Sequence, residues 1–416
     1  MRLKNTTGRK FAFVVPRFAE GIIGGAETLS GSLARELLNN GVQVEILTTC
    51  ARDNRSWENY FPPGEATEYG LKVTRFPVAA RDLDIWVPLQ ISISDGISPS
   101  LDAQLDWMQH SVNSFELYEY LERYSSAYDL IFFAPYLFGT TFWGSLINPE
   151  RACLIPCLHD EHAAYLDIIA SMFQQVRGAL FNAAAEQELA NTLYGPVAGG
   201  EVGMGFVPFE SEYLQSLKPY FKESFPYILY LGRKETGKNV QLLLDYFVQF
   251  KESGSRLPGA AADLKLVIGG GGDFSDLGRD QYLGREDIID LKELSETDKH
   301  RLLRHATVLC QPSRNESFSI VLMEAWLLGR PVMVHAGCAV TRQHVLDSGG
   351  GLYFADFGDF SGIILELLSN DEISDEMASA GWQYVTSYYS WNSVLSRFDR
   401  VVGQLLAGES VIENKL

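Results

Sequence analysis

The sequence predicts an α/β protein built from two doubly wound, parallel-sheet domains, and three observations predict it. First, the chain opens with a strand, loop, helix, strand pattern. Residues 11–15 (FAFVV) form an apolar, partly β-branched run, and residues 27–38 space Leu29, Leu33 and Leu37 as one helical face. Residues 42–48 then return to an apolar strand pattern. Second, the pattern restarts at residues 227–231 (YILYL), with a helix expected over 239–251 and a strand over 264–268. Third, 416 residues exceed what one hydrophobic core usually organises.

The remaining elements follow in order. Asn39-Asn40-Gly41 ends the first helix. Residues 51–100 read as irregular, with Pro62-Pro63-Gly64 and residues 92–100 as turn-rich stretches, the second a candidate mobile lid. A helical pattern spans 101–124, and strands are expected at 130–133 and 152–157. Residues 206–224 read as the link between halves, and 253–263 as a small surface insertion. Residues 308–313 read as a buried strand ending in a loop, and Gly329-Arg330-Pro331 as a helix stop.

Composition narrows the function. The net charge of −19 argues against nucleic acid as a partner, so any phosphate site must be a local basic island. The hydrophobic fraction of 46% is ordinary for a globular chain. Cys50, Cys153, Cys157, Cys310 and Cys338 lack zinc-ligand spacing and read as buried free thiols, which fits a reducing cytoplasm. The apolar run at 11–15 is too short for the core of a signal peptide. Residues 130–149 carry no formal charge, but Pro135, Gly139, Thr140, Thr141 and Gly144 interrupt them, so a strand, loop and helix are expected there rather than a membrane span.

The stretch from Asn315 to Ala325 carries the most chemistry. Glu316 and Glu324 lie eight positions apart across the start of an expected helix, just after a strand. Free N–H groups and the helix dipole favour an anion at such a start, and a carboxylate inside the helix can reach ribose hydroxyls. This is nucleoside-diphosphate chemistry. The stretch resembles the E-x7-E signature of the retaining glycosyltransferases of the GT-B fold, family 4, and the resemblance extends over most of the chain. It implies two Rossmann-like domains facing an interdomain cleft: an acceptor domain over 1–205, with 390–416 crossing back onto it, and a nucleotide-sugar donor domain over 206–389. It further implies that Glu316 contacts the donor sugar, that Glu324 holds the ribose, and that the amides near Phe318, Ser319 and Ile320 hold the phosphates. Ser319 stands where the family usually has Gly; a small residue still lets the backbone approach phosphate.

Other segments fall in the family's order. The loop from Gly21 to Glu27 lacks the dinucleotide G-x-G-x-x-G spacing and resembles the GG-x-E loop, which implies that Gly24 and Gly25 border the donor and Glu27 the acceptor side. Leu231 to Asn239 (LGRKETGKN) lies between a strand and a helix and resembles the family's Arg and Lys pair, here Arg233 and Lys238, with Lys234 a weaker substitute. Two cations beside a diphosphate stabilise the leaving charge without a metal. His159, with Asp160 and Glu161, follows a strand end and resembles the active-site His beside the transferred sugar; the two acids shape the acceptor side. H-E-x-x-H is absent there. Glu186 reads as structural, and residues 201–206 as the glycine-rich segment before the crossover. Gly270, in the run Gly269 to Gly272, permits close approach to the donor, and Lys292 and Leu294, in an expected loop from Asp290 to Leu294, fall where the family holds the base.

The expected function is therefore transfer of a sugar, with retention, from a nucleotide-diphosphate sugar to a glycan or lipid-linked glycan, in bacterial polysaccharide assembly. A UDP-sugar is favoured over GDP-mannose. The resemblance implies no cofactor, no metal ion, and a cytoplasmic location with peripheral contact at the inner face of the plasma membrane where the acceptor is lipid-linked. The alternatives are a silent nucleotide- or glycan-binding subunit and a nucleotide-sugar epimerase of the same fold.

Overall fold

The computed structural model describes residues 3–22, 24–253 and 259–408. Ile23 of the glycine loop, residues 254–258 of the expected insertion and the tail 409–416 lie outside the described residues. The chain divides into two compact units, one of residues 1–205 with 391–416 and one of residues 206–390.

The first unit holds an eight-stranded sheet. Its strands are β1 (Lys10–Val15), β2 (Gln43–Thr49), β3 (Gly64–Glu68), β4 (Leu71–Phe76), β5 (Leu130–Phe133), β6 (Ala152–Leu154), β7 (Gly178–Phe181) and β8 (Gly199–Glu201). They run in the order β3-β4-β2-β1-β5-β6-β7-β8, all parallel except the β3–β4 hairpin. Register pairs Phe11 with Val44 on one side and with Leu130 on the other. Central β5, and β1 after its first residue Lys10, are apolar because helices cover both faces of a parallel sheet. The C-terminal helix Trp391–Ala407 packs on β7 and β8. It is fastened by Asp399, whose carboxylate accepts the backbone N–H groups of Lys4, Asn5 and Thr6, and by Phe398 against Phe11 and Phe132.

The second unit repeats the plan with β9 (Tyr227–Leu231), β10 (Lys265–Gly269), β11 (Ile288–Leu291), β12 (Val308–Gln311), β13 (Val332–His335) and β14 (Gly351–Phe354). Their order is β11-β10-β9-β12-β13-β14, all parallel. In both units the chain winds outward from the first strand, then jumps to its other side and winds the opposite way. The jump leaves a switch point, between β1 and β5 in one sheet and between β9 and β12 in the other. Loops diverge at the carboxyl ends of those strands, which is where open α/β sheets take ligands.

Five local expectations are corrected. Residues 51–100 are not irregular: β3 and β4 form a hairpin closed by Tyr69 and Gly70, both at positive φ, and Leu71 and Val73 bury alternate positions. Residues 92–94 of the expected lid belong to the helix Leu83–Ser94, which Asp82 caps by accepting from the N–H groups of Asp84 and Ile85. Pro88 and the exposed Leu83, Ile85, Val87 and Ile91 hid this helix from pattern reading. The helical pattern over 101–124 is two helices, Leu101–Gln109 and Phe115–Tyr124. The break is held by Asn113, whose amide donates to Met108 and Gln109 carbonyls, and by Ser114, which caps the second helix. Finally, Asp290 and Leu291 sit on edge strand β11, not in a loop; Ile288 and Ile289 pair with Leu266 and Val267 and carry the strand forward. Strand β6 also stops at Leu154, short of the expected Cys157.

Candidate active site

In the second unit, the loops after β9 and β12 flank the switch point. The β9 loop holds three cations with three different fates. Arg233 is mostly exposed and pairs with Glu235 at 2.9 Å. Lys234 is fully buried; its ammonium donates to the Gly270 carbonyl and pairs with Asp290 at 3.1 Å, so it fastens β9 to β10 and β11. This explains why Lys234 reads poorly as a ligand. Lys238 reaches across to the β12 loop and pairs with Glu316 at 2.7 Å. Asn239, at φ 56°, donates its side-chain amide to the Pro312 carbonyl at 3.0 Å, so the two loops are tied twice.

Glu316 leads into the helix Ile320–Leu327. Phe318 is buried against Phe206, His344 and Tyr389, so its ring anchors the loop and only its backbone is available to a ligand. Ser319 occupies the N-cap in a left-handed conformation and makes no side-chain capping bond. Glu324 lies one helical turn on and pairs with Lys299 of the helix Glu296–His305 at 2.8 Å. Burial pushes the Glu324 carboxyl up, and Lys299 pulls it back. Glu296, His300 and Glu324 bring ligand-type atoms within 4.8 Å of one another, and the Lys299 ammonium already bridges the two carboxylates. Lys299 was missed in the sequence. Its signal was a lysine on the apolar stripe it shares with Leu302, Leu303 and Ala306.

The β10 end supplies close backbone approach rather than side chains. A Cβ on Gly270, at φ 128°, would meet the Gly232 carbonyl at 2.1 Å, so glycine is required for packing there before any ligand arrives. Lys292 is exposed and pairs with Asp273 and Asp290. Leu294 lies over Gly269, where a Cβ would meet it at 2.7 Å.

In the first unit, the β1 loop leads to the helix Gly25–Asn39. Glu27, in its first turn, accepts from Arg17 at 2.6 Å. Its carboxylate fills the place of a Cβ on Gly24, while Gly25 has open space. Gly24 thus makes room for Glu27. A pocket of about 140 Å³ opens beside it, lined among others by Thr28, Ser32, Arg35 and Tyr69. After β6, His159 stands 3.5 Å from Glu161, which accepts the Tyr136 hydroxyl at 2.7 Å. Burial, then the Glu161 charge, push the Tyr136 phenol well up, which keeps it a neutral donor. Asp160 accepts from Tyr165 at 2.7 Å. Glu186 is fully buried and accepts the backbone N–H groups of Leu158 and Asn182 at 2.6 and 2.5 Å. Burial pushes its carboxyl up to about 8, against the pull of those donors. It fixes the backbone just before His159.

Two doubly wound α/β units, each with a switch point at the carboxyl ends of its strands, define the class of fold. The comparisons with known proteins then specify it. Residues 215–383 match the family model described as "Glycosyl transferases group 1". A comparison with curated proteins finds no significant match. Among solved structures, the chain is similar to the sucrose-phosphate synthase of Thermosynechococcus elongatus, at 16% identity and TM-score 0.68, covering 96% of this chain and 100% of that one. It is similar to HepE of Anabaena, solved in complex with UDP and glucose, at 15% identity and TM-score 0.68 over 95% and 99% of the two chains. It is also similar to WaaG, described as a glycosyltransferase involved in lipopolysaccharide biosynthesis, at 14% identity and TM-score 0.64 over 94% and 99%. The fold is that of the GT-B glycosyltransferases.

Proposed function

We propose that this chain is a retaining, metal-independent glycosyltransferase that moves a sugar from a nucleotide-diphosphate sugar to a glycan or lipid-linked glycan. The observation that carries the reading is the Lys238–Glu316 pair, 2.7 Å long, at the switch point of the second sheet and three residues before an uncapped helix start. Lys238 neutralises charge on the leaving diphosphate, and the start of the helix Ile320–Leu327 receives the phosphates through its N–H groups. Glu316 faces the transferred sugar, and Glu324, held by Lys299, accepts ribose hydroxyls. Arg233 adds a second cation on the same loop, and Gly270, Lys292 and Leu294 border the base. With Lys238 stabilising the leaving group, the departing phosphate oxygen takes the acceptor proton on the same face, so no protein nucleophile is needed.

The acceptor side falls to the first unit, where Glu27, His159, Asp160 and Glu161 offer carboxylate and imidazole acceptors for sugar hydroxyls. A UDP-sugar is the favoured donor; the HepE structure, bound to UDP and glucose, supports that choice by likeness of fold. Among the described residues, no helix is long and apolar enough to cross a membrane. The helix Leu83–Ser94 exposes Leu83, Val87 and Ile91 on successive turns, an apolar stripe suited to peripheral contact with the membrane of a lipid-linked acceptor. Co-sedimentation with phospholipid vesicles tests that contact, and no binding by the wild-type chain removes it.

The deciding experiment incubates the purified chain with UDP-, GDP- and ADP-sugars, with and without EDTA, and follows products by mass spectrometry. Slow hydrolysis of one donor to free sugar and nucleoside diphosphate, unaffected by EDTA, is expected. Isomerised nucleotide sugar would mean an epimerase. Binding of a donor without turnover, whatever glycan is supplied, would mean a silent subunit.

A further inference from the structure

Ser319 carries two structural costs that no contact among the described residues offsets. Its backbone sits at φ 69°, ψ 77°, a left-handed conformation that a side chain disfavours. Its Oγ is buried and has no hydrogen-bond partner among the described residues. A buried hydroxyl without a partner is destabilising. Comparable positions of the same unit avoid one cost or both. Ser295 caps the helix Glu296–His305 in the ordinary way, with extended backbone and its Oγ accepting the Asp298 N–H at 3.1 Å. Asn239 is also left-handed, but its amide is satisfied by the Pro312 carbonyl. Gly329 and Gly349 fill left-handed positions with glycine. Ser319 neither caps its helix nor relaxes as glycine would, and it sits at the helix start three residues after Glu316, the partner of Lys238.

We propose that the Ser319 hydroxyl is a donor-binding group, donating a hydrogen bond to a phosphate oxygen of the nucleoside diphosphate alongside the N–H groups of the helix start. This rests on the reading of the second unit as the diphosphate-binding one. Phosphate is the ligand class that fits. The hydroxyl has a proton to give, and its backbone conformation keeps the side chain from being used up as a cap. The costs borne without ligand are then recovered on binding. A glycine at this position, by contrast, offers the backbone alone.

The test uses calorimetric titration of the full chain and of Ser319→Ala and Ser319→Gly with UDP and with uridine, beside thermal unfolding of each protein without ligand. Both variants should bind UDP about tenfold more weakly, the usual scale for one hydrogen bond to a charged group, while uridine affinity stays that of the wild type. Both should unfold at the same or a higher temperature, and Ser319→Gly should be the more stable because it also relaxes the backbone. UDP affinity unchanged in both variants would overturn the proposal and leave Ser319 as a tolerated replacement for glycine. Equal losses for UDP and uridine would also overturn it, by making the effect one of loop shape. A wild-type chain that binds neither UDP, GDP nor ADP would instead overturn the glycosyltransferase reading, and this role with it.

Discussion

The two sheets wind in the same order, yet the loops at their carboxyl ends are chemically opposite. In the second unit donors predominate beside the paired carboxylates Glu235 and Glu316: Lys238, Arg233, the N–H groups of an uncapped helix start and glycines that leave backbone accessible. In the first the loops present acceptors: Glu27 held by Arg17, and Glu161 held between Tyr136 and His159. A site rich in donors takes anions, and one rich in acceptors takes hydroxyls. On the proposed function, one fold used twice separates phosphate from sugar by loop chemistry alone. The family match to residues 215–383 falls wholly in the donor-rich unit.

The sharpest way to break this comparison is to remove the Lys238 ammonium. Lys238→Ala should lower turnover by about 10²–10³, the scale set by removing one preorganised group that stabilises developing charge. Glu316→Gln should cause a comparable loss. Near-normal turnover in either folded variant, measured with saturating donor, would take the chemistry away from the second unit.

The next effect belongs to the first unit and is structural. Glu186→Ala strips two buried N–H groups of their acceptor and should cost roughly 3 kcal/mol in urea unfolding. The loss should also disturb the backbone before His159, because Leu158 is one of the two residues released. Full stability in Glu186→Ala would mean that the loop after β6 is fixed by other contacts.

Legibility in the sequence follows the same divide. Strands β5 and β9 were readable to the residue because buried parallel strands are unbroken apolar runs. Lys238 and Glu316 were placed by the sequence in loops after two strands, and the structure brings them within 2.7 Å of each other, with Glu324 on the helix that follows. The helix Leu83–Ser94 was not readable, since its apolar residues face outward and Pro88 interrupts the pattern. The resemblance ranked Lys238 above Lys234, but the physical reason was not legible. Burial of Lys234 depends on Asp290, which lies 56 positions further on and on another strand. Lys299 stayed hidden for a similar reason, because its partner Glu324 is on a different helix.

That hidden pair gives a prediction with a pH signature. Glu324 is already pushed up by burial, and Lys299 opposes the shift. Glu296 and His300 also face the carboxylate, and His300 is itself held down by burial and by Lys299. Lys299→Met should therefore raise the Glu324 carboxyl further, so that more of it is protonated at a given pH. Donor binding should weaken by about tenfold at pH 6 and recover as pH rises, whereas the wild type should vary less over that range. Lys299→Arg should restore the wild-type profile. A uniform loss at every pH in Lys299→Met would assign Lys299 to packing.

The smallest effect tests the acceptor side directly. Glu27→Gln keeps the shape of the first turn but weakens its bond to Arg17 and its capacity to accept two sugar hydroxyls. The acceptor KM should rise a few-fold, the loss of roughly 1 kcal/mol from one hydrogen bond, while donor affinity and the thermal midpoint change little. Donor affinity is the discriminating quantity. If Glu27→Gln weakens UDP binding as much as acceptor use, then the loop from Gly21 to Glu27 serves the phosphate as well, and the separation of donors from acceptors between the units fails at its clearest point. If only the acceptor term moves, Gly24 is best understood as the residue that makes room for the Glu27 carboxylate, and the two adjacent glycines of that loop serve acceptor recognition through it.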